Sequence, residues 1–105
     1  MNDVGWIATF SDPSAWPERG GNGVLPGANP LFPGADELIA MYAEAWGGPL
    51  PNLNWYRALT AYKSAIITGF NLILHRRGKR HDPMWEDMTP CMETLLDRAV
   101  QLLAK

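Results

Sequence analysis

Leu53-Asn54-Trp55-Tyr56-Arg57-Ala58-Leu59-Thr60-Ala61-Tyr62-Lys63-Ser64-Ala65-Ile66-Ile67-Thr68-Gly69-Phe70-Asn71-Leu72-Ile73-Leu74-His75-Arg76-Arg77 decides the fold. Within it Trp55, Leu59, Tyr62, Ile66, Phe70 and Ile73 recur at helical spacing, and Tyr56, Ile67 and Leu74 widen the stripe. That pattern predicts one helix over 53–77, ~35 Å long at 1.5 Å per residue. A face so broad predicts a helix packed on several sides. Gly78 supplies the residue past its end, and Arg76, Arg77, Lys79 and Arg80 place cations where the helix dipole favours them.

Outward from this helix the pattern stays helical. Leu38, Ile39, Tyr42, Ala45 and Trp46 share one face of a segment over 35–47. Asp36 and Glu37 suit its first turn, and Gly47-Gly48-Pro49 ends it. Asp82-Pro83 can open a helical turn through Met84–Asp87. Thr89-Pro90 starts a third main helix over 90–104, carried by Met92, Leu95, Leu96, Ala99, Leu102 and Leu103. Asp3–Phe10 reads as a short buried helical segment, stopped at Ser11-Asp12-Pro13. Residues 12–34 carry so many Gly and Pro that a long loop is expected, and loops of that length are uncommon inside compact domains. No stretch reads as a strand. The fold expected is all-α, a single helical subdomain over 1–105.

Composition narrows the function classes. The chain has 105 residues, 47% of them hydrophobic and 19% charged, with a net charge of −2, enough apolar content for a core. Five Trp is a high count for this length, and the single Cys excludes an internal disulfide. Ala65–Leu74, the most apolar stretch, falls short of the ~20 residues of a membrane span. The start at Met1 lacks a basic n-region and a long apolar run. These features lead us to expect a cytoplasmic protein with no membrane partner. Charge is divided along the chain: residues 1–50 carry one base and six acids, and residues 51–105 carry eight bases and five acids.

Few residues point to chemistry. His75–His81 is rich in base, but no aromatic residues interleave with it, so a solvated helix end is expected rather than a nucleic-acid patch. His75, His81, Asp82 and Cys91 match no zinc spacing, and nothing in the sequence brings a base to the Cys91 thiol, although a helix start at Pro90 could lower its pKa. Gly20-Gly21-Asn22-Gly23 lacks the flanking strand, helix and Lys-Ser/Thr pair of a phosphate loop. No catalytic residue and no metal ligand is assigned. The aromatic residues Trp46, Trp55, Tyr56, Tyr62 and Phe70 read as core, with the wall of an apolar pocket as the alternative.

Four segments carry a resemblance: Asp3-Val4-Gly5-Trp6, Phe32–Glu44, Leu53–Leu59 and Tyr62–Ile67. In that order they resemble the C-terminal helical part of the aminoglycoside phosphotransferase-like family, whose fold is protein-kinase-like. The similar branch comprises bacterial phosphotransferase family proteins akin to the kinase-like domain of some acyl-CoA dehydrogenases. The resemblance implies that Asp3 braces the catalytic loop through backbone N–H groups. It also implies that Trp46, Trp55, Tyr56, Tyr62 and Phe70 wall the acceptor-substrate pocket. The family's phosphate-binding Lys, His-x-Asp catalytic loop and metal-binding Asp would all lie upstream of Asp3, so no N-lobe is expected here. Cofactors are therefore none for this chain alone, with ATP and Mg implied only for the full-length family. Trp6, Ile7 and Phe10 would be left uncovered, and the expected partner is a second copy (a homo-oligomer) or the missing upstream kinase-like portion.

Overall fold

A computed structural model describes residues 1–16 and 33–105. The described residues form five α-helices and a 3₁₀ turn: α1 (Asn2–Phe10), the turn Pro13–Ala15, α2 (Ala35–Trp46), α3 (Leu53–Arg76), α4 (Met84–Asp87) and α5 (Thr89–Leu103). Among the described residues there is no strand, so the chain is all-α. Each main helix ends within a residue or so of where periodicity and breakers put it. Pro13–Ala15 brings local order into the expected loop, because Asp12 Oδ1 accepts the Ser14 N–H at 2.9 Å. Residues 17–32, most of that expected loop, and with them the Gly20–Gly23 segment, lie outside the described residues.

α3 is the axis. α5 packs along one side of it, with its C-terminal end beside the N-terminal end of α3, and α1 packs on another side through Gly5, while α2 packs on α1. The C-terminal end of α3 closes as its sequence requires. Gly78 takes φ +71°, its N–H bonds the His75 carbonyl at 3.0 Å, and the Lys79 N–H bonds the Leu74 carbonyl at 2.9 Å. Only a residue without a Cβ adopts that turn at no cost. Asn52, at φ +55°, turns the chain into α3, a conformation asparagine tolerates better than most residues.

α3 is packed on more than one side, by α5 and by α1, but the faces it buries are not those of the aromatic stripe. Its buried residues are Arg57, Ala58, Thr60, Ala61, Ser64, Ala65, Thr68 and Leu72, almost all small. Trp55, Tyr62, Ile66, Ile67, Phe70 and Ile73 are exposed, with Phe70 at 61%. Close approach explains the choice. Gly5 of α1 sits so near α3 that a Cβ there would lie 2.8 Å from the Tyr56 carbonyl oxygen. α5 buries Cys91, Leu95, Ala99 and Leu102 against the Ala58, Ala61 and Ala65 row. Small residues let the helix backbones come together, and the large side chains are left on the outside.

One ion cluster ties the chain's two ends to this axis. Asp12 is buried, and its Oδ2 accepts from Arg57 Nη2 of α3 at 3.1 Å and from Arg98 Nε of α5 at 2.7 Å. Trp16 follows the turn and donates its indole N–H to the Thr9 carbonyl at 2.9 Å. Its ring stacks on Phe10, which stacks on Trp6, with centroids 5.9 and 5.8 Å apart.

Candidate interaction surface

The outer face of α3 follows from its spacing. Trp55, Tyr62, Ile66 and Ile73 stand at intervals of seven, four and seven residues, so they project along one line about a quarter turn from the buried alanine row. Leu96, Val100 and Leu103 of α5 are exposed beside this line. Between the two helices lies an apolar groove of about 330 Å³, lined by Trp55, Leu59, Tyr62, Leu96, Val100 and Leu103 among others. A second apolar groove, about 320 Å³, runs between α1 and α2 and is lined by Val4, Ile7, Leu38, Met41 and Tyr42 among others.

The five aromatic residues singled out from the sequence separate in space. Trp55 and Tyr62 line the α3–α5 groove. Tyr56 is half-buried and meets Trp55 edge-on, with ring centroids 5.1 Å apart. Phe70 is exposed further along α3, and Trp46 is exposed on α2 beside Tyr42. Asp3 is exposed in the first turn of α1. Thus two of the five stand in one groove, and the others do not join them there.

The remaining polar groups behave as structural elements. Cys91 is fully buried among aliphatic side chains, 4.0 Å from the Met88 sulfur. Burial raises its thiol pKa, the reverse of the lowering that a helix start could give. The basic segment is partly neutralised. Arg76 grips Glu86 with two bonds of 2.8 and 3.0 Å, and Arg80 bonds Asn71 at 3.1 Å. The Arg76 hydrogen bond holds the Glu86 carboxyl below its ordinary value and raises Arg76 in return. His75 Nδ1 accepts the Asp82 N–H at 3.0 Å, which fixes the turn into α4. Among the described residues no three of His, Cys, Asp and Glu cluster in a way that could hold a metal. No described helix is long and apolar enough to cross a membrane.

Sequence reasoning missed Asp12, Arg57 and Arg98. One signal was present: Arg57 opens the row Arg57, Ala61, Ser64, Thr68 and Leu72, otherwise made of small or apolar residues on the face away from the aromatic stripe. A lone Arg heading such a row needs a buried counter-charge. Compared with protein-family models, with curated proteins and with solved structures, the chain matches none.

Proposed function

We propose that this chain is a helical association module: it performs no chemistry alone and works by presenting the outer face of α3 to further polypeptide. The observation that carries this reading is the reversal of α3, small residues inward and large apolar residues outward. Scattered exposed apolar residues are ordinary, whereas a continuous line of them marks a surface that a partner covers.

Two partners fit the face. One is a second copy. The other is the upstream portion of an aminoglycoside phosphotransferase-like kinase, supported by the resemblance carried in Phe32–Glu44, Leu53–Leu59 and Tyr62–Ile67. In that arrangement the chain supplies the acceptor-side wall, with the Trp55 and Tyr62 groove as its apolar surface. Asp3 would then brace the other portion's catalytic loop, and that portion would bring the groups that hold ATP and Mg. Phosphoryl transfer depends on those groups, so this reading also leaves the chain alone inactive. A cytoplasmic setting accompanies it, supported by a single cysteine that stands buried and free.

Sedimentation velocity tests the proposal, with the chain alone and then mixed with a separately expressed catalytic portion of such a kinase. Self-association or a mixed complex is the expected result, and a monomer that forms neither overturns the reading. ATP-dependent phosphorylation of an acceptor only in the mixture would identify the kinase partner. A complex without activity would remove that partner's catalytic role and keep the association.

A further inference from the structure

The α3 face has an internal symmetry that selects its partner. Trp55, Leu59, Tyr62, Ile66, Gly69 and Ile73 are spaced 4, 3, 4, 3 and 4 residues apart, the alternation of a two-helix seam. The series reads the same from either end. Trp55, Tyr62, Ile66 and Ile73 are about half exposed, and Leu59 and Gly69 are partly so. An antiparallel copy of α3 laid on this seam sets Trp55 against Ile73 of the second copy, Leu59 against Gly69, and Tyr62 against Ile66. Each layer therefore pairs a larger side chain with a smaller one, the condition for interdigitation, with Met92 of α5 already lying beside Gly69 at the middle layer.

A parallel copy fails the same test. It would set Trp55 against Trp55 and Gly69 against Gly69, crowding one layer and emptying another. It would also bring together two basic ends, each holding Arg77, Lys79 and Arg80. The antiparallel copy separates those ends by the length of the seam, ~27 Å for 18 residues, beyond the ~10 Å screening length at 0.1 M salt. The area is sufficient too. A strip one helix diameter wide over α3 and the flanking α5 gives roughly 600 Å² per copy, about 1,200 Å² per pair, the lower bound of a stable interface.

We infer that a second copy of this chain covers the seam, as a two-fold dimer with α3 antiparallel to α3. This deepens the association reading and rests on it. The test uses two full-length variants, Trp55→Cys and Ile73→Cys, oxidised separately and as a mixture, with sedimentation of the unaltered chain alongside. The native Cys91 is fully buried and stays out of the reaction. A dimer of the unaltered chain is expected, with a disulfide-linked pair in the mixture at many-fold the yield of either variant alone. Self-linking of each variant, matched or exceeded by nothing in the mixture, indicates a parallel pair and overturns the inference. An unaltered chain that sediments as a monomer overturns it as well. If that monomer still binds the kinase catalytic portion, the association reading stands without the dimer.

Discussion

Asp12 joins three elements through one side chain. Its carboxylate is buried between Arg57 and Arg98 and also caps the Pro13–Ala15 turn, so three separate elements meet on one group. Asp12→Ala leaves the Arg57 guanidinium buried without its counter-charge, and the unfolding free energy is expected to fall by about 3–5 kcal/mol. Arg98→Ala leaves the Asp12–Arg57 pair in place and should cost about 1–2 kcal/mol. Urea denaturation of the two variants checks the order, and an equal loss would contradict the hub role of Asp12. Cys91 gives a second residue-scale expectation. Its pKa is raised by burial in the folded state, so the stability linked to the neutral thiol is full below the ordinary thiol pKa and is lost as pH rises through the raised value. Native Cys91 should react with a thiol reagent far more slowly than the urea-unfolded chain, and equal rates would show that the core around it opens readily.

At the scale of elements, close approach governs how the helices sit. Gly5→Ala would drive a methyl group into the Tyr56 carbonyl and the Thr60 hydroxyl, atoms that α3 holds firmly. The expected loss is about 1–3 kcal/mol, read from thermal unfolding, and a neutral result would mean that α1 rides further from α3. The α3–α4 junction depends on pH in the opposite sense to Cys91. Glu86 has its folded pKa lowered, chiefly by the Arg76 hydrogen bond, so its contribution is present above the ordinary carboxylate value and is lost as pH falls through the lowered one. Amide NMR should show the Trp85 and Met88 signals shifting on acidification while those of Ala61 and Leu95 hold. A uniform response would mean that α4 is not a separate unit. The helices themselves were legible because Gly, Pro and the 3.6-residue period mark their ends and faces without help from neighbours. Which face of α3 turns inward was not legible. Hydrophobicity favours burying Trp55, Tyr62 and Phe70, whereas helix–helix distance favours Ala58, Ala61 and Ala65, and only the positions of α1 and α5 decide between them.

At the scale of the whole molecule, the described residues form an extended body, 48 × 27 × 20 Å, with a thin interior. The core cluster consists of alanines, Cys91, Leu95 and Leu102, with Trp16 and Met88 packed on its edge. A chain of this length that keeps so many large apolar side chains outside gains stability from whatever covers them. The five aromatic residues read from the sequence as one core or one pocket wall are instead spread over α2 and α3, because residues that share a helical stripe need not share a cavity. The Asp12 cluster joins residues 45 and 86 positions apart, a separation that no local pattern reports. On the proposed reading the outer face of α3 is an association surface. Sedimentation equilibrium of the unaltered chain and of a Tyr62→Glu/Ile66→Glu variant, each matched for helicity by circular dichroism, tests it most directly. Association is expected in the first and its loss in the second with helicity unchanged; equal association in both, or a monomer in both that also fails to bind the kinase catalytic portion, would overturn the proposal.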